Sequence, residues 1–592
     1  MPHSVQVAVP LPIFKTFSYS VPEFLQERVQ VGCRVLVPFG HQKLVGLIVE
    51  VPEEPPQGTK LKDLIDVLDD DALVSPCLIQ LGLWLSRFYF SPPGEAFRVM
   101  LPPGLLLKKV TQRAARKFWP VRKQLGVSSL QADFPASDLT VRQKKAFEKL
   151  SECELPVLVR TFGRQTGFSE GILKALAAKG AIRIEPVVVH RTPWADFGRL
   201  YKHRPVVRHS LNADQQRVLQ LINEHLEERE FASLLIHGVT GSGKTEIYLR
   251  SIERVLQQGR SALILVPEIG LTPQASHIVR GWFGEQVAIL HSALSSGERF
   301  DQWRRIRQGD CRVVLGTRSA VFAPVKDLGI IVLDEEHDAS YKQDELPRYH
   351  AREAALQRAR LEGALVVMGS ATPQLETYYH ATESRRYGYQ AIEERVRNRP
   401  LPKVRIVDMR HEFAKRGRDA VVSEMLEEGI RKRLERKEQV LVLLNRRGYS
   451  PLLLCRSCGA TEQCENCSIS LTFHQKLNRL VCHYCGYFRP IPQECRECGK
   501  EYIFYVGEGT EKIQQVFQEM FPEAVVDRLD RDTVGRKGAY DRILGNFSAG
   551  RTDILVGTQM IAKGHDFPQV TLVGVLSADQ ALKLPDFRAA ER

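Results

Sequence analysis

GVTGSGKT, Gly238 to Thr245, follows the apolar run FASLLIH and opens the helical stretch TEIYLRSIERVL. The octet matches G-x-x-x-x-G-K-[ST], in the strand–loop–helix context in which that spacing binds phosphate. Glycines let backbone N–H groups wrap an anion, and the helix N-terminus adds positive potential. The predicted cradle is Gly238, Val239, Thr240, Gly241, Ser242, Gly243, Lys244 and Thr245. In that cradle Lys244 is placed to reach the β- and γ-phosphates of a nucleotide, and Thr245 to ligate Mg²⁺. A strand that ends in such a loop belongs to a parallel α/β lobe, so the octet sets the architecture of its surroundings.

Working outward, SALILVPE, CRVVLGT, LGIIVLDEE and GALVVMGSAT are further candidates for buried parallel strands, and EQVLVLLN, AVVDRLD, TDILVGT and VTLVGVL form a second series. Two tandem RecA-like parallel α/β lobes are predicted, at 210–395 and 396–592. Upstream, VQVAVPLP, RVLVPFG and KLVGLIVEV are short β-branched runs, which predict a β-rich N-terminal domain over 1–105. A basic linker is expected at 106–137, a winged helix at 138–190 and a second linker at 191–209. The whole is a multidomain α/β chain. Its 592 residues suit about four domains.

LGIIVLDEEHDAS supplies a partner for the phosphate loop, about 90 residues downstream of it. Asp334 at the end of an apolar strand is suited to hold Mg²⁺ through water, and Glu335 to orient and deprotonate an attacking water.

Twelve cysteines are present, and eight form four C-x-x-C pairs: Cys455/Cys458, Cys464/Cys467, Cys482/Cys485 and Cys495/Cys498. In a reducing cytoplasm such pairs signify metal rather than disulfides. Eight thiolates fill two closed Zn–S₄ sites, which predicts two Zn²⁺ in an insertion over 452–502. Four pairs combine two by two in three ways. Joining the inner pairs at zinc-ribbon spacing leaves the outer pairs as a second, nested site.

Lys and Arg total 83 against 70 Asp and Glu, a formal charge of +13, the right sign for a polyanion partner. The N-terminus lacks the basic and apolar regions of a signal peptide, and no run of about 18 apolar residues occurs, so no membrane partner and a cytoplasmic location are expected.

D-E-x-H after a phosphate loop resembles the superfamily 2 helicases and translocases. LVPEIGLTPQ (265–274) and GTRSA (316–320), with Arg318, look like DNA-contacting loops of the first lobe. GSATP (369–373) looks like the loop that couples nucleotide state to DNA grip, and VGTQMIAKGHDF (556–567) like its second-lobe counterpart. LNADQQ resembles the motif in which Gln215 reads adenine, favouring ATP. Taken with LNRRGY and the cysteine insert, the wording is similar to the bacterial replication-restart helicases over nearly the whole chain. That resemblance implies an ATP-dependent 3′-to-5′ DNA helicase that recognises stalled or abandoned forks and initiates primosome assembly. It implies the nested zinc pairing, forked and single-stranded DNA as partners, and contacts with single-stranded DNA-binding protein and primosome proteins. It also implies a monomer associated with the bacterial nucleoid.

By the same resemblance Phe17, Gly40 and Lys62 line a pocket for a DNA 3′ end, with Ser18 standing where the family carries an acidic residue. SYKQDELPRYHAREAA looks like an aromatic-rich loop that reports DNA binding, with Tyr341, Arg348 and Tyr349 facing the strand. Arg446 and Arg447, at a predicted strand end, suit phosphate. The sequence stops at PDFRAAER, ahead of the family's Q-x-x-G-R-x-G-R motif. The expectation is therefore either a fragment or a fork-binding scaffold with weak ATPase.

Overall fold

The computed structural model describes residues 3–54, 61–106, 123–131, 134–153, 155–188, 208–267, 273–396, 400–417, 420–444, 452–467, 469–474, 477–501, 503–506, 509–530, 533, 539–558, 561, 567–578, 588 and 591. Arg446, Arg447, all of 189–207, most of 556–567 and the middle of LVPEIGLTPQ lie outside them.

Six strands open the chain: β1 (Ser4–Ala8), β2 (Phe17–Ser20), β3 (Arg34–Phe39), β4 (Gln42–Glu50), β5 (Lys62–Asp63) and β6 (Asp66–Val67), in the order β5-β2-β1-β4-β3-β6. Val5, Val7, Val35, Val37 and Ile48 close one face. The helices Pro76–Phe88 and Pro93–Met100 cover the other. Their Leu78, Leu81, Leu85 and Phe97 share one core with Phe322, Tyr349 and Leu356 of the first lobe. The N-terminal module is therefore fused to that lobe rather than strung beside it.

A small three-stranded sheet follows: β7 (Lys123–Leu130), β8 (Val157–Leu158) and β9 (Ile182–Val188). It carries the helices Val141–Ser151, Val159–Thr166 and Glu170–Ala178 around Ala146, Phe162, Leu173 and Leu176. β7 lies in the stretch expected to be a basic linker. KQLGVSSL is too short and polar to announce itself, and it becomes a strand only because β9 pairs along its length.

The first lobe is a seven-stranded sheet, β10 (Ala232–Gly238), β11 (Ser261–Leu265), β12 (Val287–Leu290), β13 (Val313–Gly316), β14 (Leu328–Asp334), β15 (Leu365–Ser370) and β16 (Gly388–Ile392), in the order β12-β13-β11-β14-β15-β10-β16. Every pairing is parallel, so both faces need helical cover, which is why these strands read as unbroken apolar runs.

The second lobe begins with β17 (Gln439–Leu444) and is then interrupted by the insert's strands β18 (Leu452–Cys455), β19 (Thr472–His474), β20 (Arg479–Val481), β21 (Phe488–Pro490) and β22 (Ile503–Val506). It resumes with β23 (Val526–Leu529), β24 (Ile554–Gly557) and β25 (Val570–Leu576), in parallel order β23-β24-β17-β25. The insert builds its own antiparallel sheet, β21-β20-β19-β18-β22. It runs past 502, because β18 needs β22 as partner, with Leu452 opposite Val506.

Candidate nucleotide, DNA and metal sites

β10 delivers the phosphate loop and the helix Lys244–Gln257 leaves it. Gly241 (φ +81°) and Gly243 (φ +83°) turn through left-handed backbone that only glycine adopts freely. Lys244 is buried, and its Nζ donates to Gly238 O at 2.6 Å. Burial draws its pKa below the usual lysine value, against the pull of Asp334 and Glu335. Thr245 is exposed on the wall of a cleft of about 530 Å³, which Lys244, Asp334 and Glu335 also line. A buried ammonium facing two carboxylates, at the foot of the glycine loop, fits Mg²⁺ with a nucleoside triphosphate.

β14 brings Asp334 to this cleft. Burial, then the charge of Glu335, raises the Asp334 carboxyl to about 6, while Lys244 opposes the rise. Tyr248 OH donates to Asp334 Oδ1 at 3.4 Å. Glu335 sits at φ +48°, an uncommon conformation for a non-glycine residue, with its carboxylate 3.5 Å from His337 Nδ1. His337 Nδ1 in turn meets Ser370 Oγ at 2.7 Å, so the DEEH turn rests on GSATP.

Glu336 extends that link. It is fully buried and accepts from Gln374 N at 2.8 Å, Thr377 Oγ1 at 3.0 Å and Arg352 Nη1 at 3.3 Å. Arg352, which the alternation of aromatic and basic residues in SYKQDELPRYHAREAA offers to a DNA strand, is buried against Glu336 instead, and neither Tyr248 nor the buried role of Glu336 is read from the sequence. The doubled acid in DEEH was the available signal, since a second carboxylate that leaves the cleft needs a buried cation.

Gln215 differs from expectation. It completes a capping box with Asn212, and its Nε2 donates to Ser242 O at 2.7 Å. Its Oε1 accepts from Asn212 N at 2.9 Å. One N–H of the amide goes to the loop and its oxygen takes the helix N-cap, so the residue braces the phosphate cradle from the helix side.

Tyr341 and Tyr349, expected to face DNA, are core residues, 0% and 1% exposed. Tyr341 OH hydrogen-bonds Leu265 O (2.8 Å) and Asp334 O (2.6 Å), joining the stretch that begins LVPEI to the strand bearing Asp334. Tyr349 packs edge-on against Phe322, ring centroids 5.0 Å apart. The loop between them exposes Lys342, Leu346 and Arg348. Arg318 does not project freely, because its Nη1 donates to Ser340 O at 3.0 Å and braces the loop root.

In the N-terminal module Phe17 meets Phe39 edge-on at 5.0 Å, and Gly40 (φ +57°) follows in the β3–β4 turn. Lys62 is exposed and lies opposite Tyr19 across the β2–β5 pair, alongside the strand that begins at Phe17. Ser18 Oγ accepts from Gln6 Nε2 at 2.8 Å.

The eight cysteines gather into two sets, Cys455, Cys458, Cys495 and Cys498, and Cys464, Cys467, Cys482 and Cys485, with all sulfurs of a set within 4.8 Å of one another. Sγ–Sγ distances of 3.7 Å (455–498), 3.6 Å (458–495) and 3.6 Å (464–485) are too long for disulfides. They match the edge of about 3.8 Å of a tetrahedron with Zn–S of about 2.3 Å. The pairing is the nested one. Gly459, Gly486 and Gly499 each follow a pair at positive φ and donate N–H back to the carbonyl of Cys455, Cys482 or Cys495.

A phosphate loop and a DEEH turn on a seven-stranded parallel sheet, with a second parallel lobe behind them, define a nucleotide-driven helicase motor. A DEAD/DEAH box helicase profile matches residues 212–380. Profiles for a 3′ DNA-binding domain and for the Cys-rich region of the PriA DNA helicase match 6–102 and 464–490. The chain belongs to the replication restart protein PriA family. It is 38% identical to the Bacillus subtilis protein of that name over 98% of this chain and 79% of the relative, and 38% identical to that of Haemophilus influenzae over 99% and 78%. Among solved structures, the helicase MrfA bound to DNA overlaps loosely, at TM-score 0.39 and 14% identity over 65% of this chain and 48% of that one. No helix of the described residues is long and apolar enough to cross a membrane.

Proposed function

We propose that this chain hydrolyses ATP to move 3′ to 5′ along DNA, recognises stalled or abandoned replication forks, and starts primosome assembly on them. The observation that carries this reading is the wiring of the cleft. Asp334 shares Tyr341 with Leu265 at the start of one DNA-facing stretch, and Glu336 ties the DEEH turn to GSATP and to Arg352 beyond the exposed Lys342–Arg348 loop. A change at the γ-phosphate therefore has a short packed route to the strand.

In this reading Lys244 binds the β- and γ-phosphates, Thr245 and Asp334 hold Mg²⁺, and Glu335 orients the attacking water and takes its proton. Mg²⁺, when bound, would supply positive charge against the phosphates. Gly238 to Gly243 cradle the phosphates through backbone N–H, and Gln215 acts through that cradle. Arg318, Arg348, Arg446 and Arg447 serve the DNA path, and Phe17, Gly40 and Lys62 the 3′ end. Each Cys₄ set holds one Zn²⁺. Single-stranded DNA-binding protein and primosome proteins are the proposed protein partners, and a cytoplasmic, nucleoid-associated monomer the proposed form.

The test is unwinding of forks with either a 3′ or a 5′ single-stranded arm, with and without ATP. ATP-dependent opening that requires the 3′ arm is expected. Opening that requires the 5′ arm, or that proceeds without ATP, contradicts the proposal.

A further inference from the structure

The phosphate loop is held from outside by residues that follow the last strand of the lobe. β10 and β16 pair in parallel up to Gly238 and Ile392, and the pairing continues as irregular contact: Val239 N donates to Ile392 O at 3.4 Å. Beyond it Arg395 Nε donates to Thr240 O at 3.0 Å, and Val396 N donates to Gly241 O at 2.9 Å. From the opposite side Gln215 Nε2 takes Ser242 O. The carbonyls of Thr240, Gly241 and Ser242 thus all have donors outside the loop.

This matters because the C=O and N–H of one peptide unit point in opposite directions. Fixing Thr240 O against Arg395 turns Gly241 N–H the other way, and fixing Ser242 O against Gln215 does the same for Gly243 N–H. Glycine is needed for the close approach. A Cβ on Gly241 would lie 3.3 Å from Arg395 Nε, and one on Gly243 would lie 2.3 Å from Gln215 Nε2 and 3.1 Å from Val396 Cγ2. The Arg395 guanidinium reaches further, since Nη1 donates to Pro400 O at 2.8 Å, on the stretch that leads to the second lobe.

We propose that Arg395 is a positioning residue for the phosphate loop, joining the Thr240 carbonyl to the Pro400 carbonyl so that the loop's anion-binding geometry depends on the connection between the lobes. This deepens, and rests on, the reading of the cleft as a nucleotide site. Movement of the second lobe then pulls on the loop directly, without passing through DNA.

The experiment measures Mg²⁺–mant-ADP affinity of the full chain by fluorescence, for wild type, Lys244→Ala, Arg395→Ala and Arg395→Lys, with steady-state ATPase and thermal melting alongside. Loss of a charge-assisted hydrogen bond to the loop predicts a Kd raised about tenfold in Arg395→Ala. KM for ATP should rise more than kcat falls, and the midpoint of the nucleotide-free protein should stay near wild type. Lysine lacks the fork that spans both carbonyls, so Arg395→Lys should fall between the two. A role in folding alone would shift the midpoint and leave Kd unchanged. If wild type binds mant-ADP, Lys244→Ala does not, and Arg395→Ala binds as wild type does, the Arg395 role is overturned while the nucleotide site stands. If wild type binds none, the nucleotide-site reading fails and this proposal falls with it. Should Arg395→Ala fail to fold, wild-type affinity in Arg395→Lys overturns the proposal equally.

Discussion

Asp334 is the residue at which binding and stability conflict. Its carboxyl titrates near 6 in the folded protein and near 4 when unfolded. The folded state therefore holds a proton that the unfolded chain has released, so this group's contribution is fully present below about pH 4 and lost as pH rises through about 6. Above that window the nucleotide-free protein carries a buried anion beside Glu335. Asp334→Asn should raise the thermal midpoint of the nucleotide-free protein at pH 7.5, with an upper bound of about 3 kcal/mol for a two-unit shift, and the gain should shrink toward pH 4. Melts across that range check it; a variant less stable than wild type at pH 7.5 contradicts it. The same substitution should abolish hydrolysis. Lys244→Ala should also abolish hydrolysis while leaving fork binding largely intact, since the proposed DNA contacts are spread over several modules; surviving turnover in the purified variant would remove the loop's assignment. Tyr341→Phe removes the hydroxyl that joins Leu265 O to Asp334 O. It should lower DNA stimulation of the ATPase more than the basal rate, and stability by about 1–2 kcal/mol for the one proton that the two carbonyls share. Equal loss of both rates would mean that the hydroxyl serves folding alone.

At the scale of elements, what could be read in the sequence depended on how local the determinants were. The phosphate loop, the DEEH turn and the cysteine pairs are short patterns whose geometry follows from spacing. The loop after DEEH is not, because aromatics alternating with basic residues look the same whether the rings face water or core. Tyr341 and Tyr349 turn inward because Leu265, Phe322 and the helices of another module are there to receive them, and none of these is nearby in sequence. β7 and β22 escaped notice for the same reason, as each is a strand only through a distant partner. The insert is the element to which metal would add most. Leu453, Leu471 and Leu480 make a core too small to hold about 50 residues, so Zn²⁺ in the two Cys₄ sets would supply most of the folding energy. About two zinc per chain should be found by elemental analysis. Cys482→Ala should lose about one and leave the set built on Cys455 and Cys495 filled. Iron, or one zinc per wild-type chain, would overturn the assignment.

For the whole molecule, the excess of 13 positive charges sets a uniform attraction to DNA that should weaken steeply with salt as counterions are released. A pocket at Phe17, Gly40 and Lys62 would add preference for a free 3′-hydroxyl at the junction. Ser18 is already bonded to Gln6, and it supplies no carboxylate, so discrimination should sit at the weak end of the roughly 1–3 kcal/mol that an unpaired polar group costs. Fork affinity with a free or a 3′-phosphorylated leading strand, at fixed salt, measures it. Equal values, unmoved by Lys62→Ala, would leave a generic DNA-binding module. The core that Leu78, Leu81, Leu85 and Phe97 share with Phe322, Tyr349 and Leu356 bears on how such a chain is inherited. A recombination event between the β-rich module and the motor would strip one apolar face from each and leave both insoluble. Gene exchange in this lineage should therefore find its tolerated crossover points beyond residue 381, where the shared core ends, around the cysteine insert. The 3′ DNA-binding module and the helicase lobe it packs on should descend as one unit.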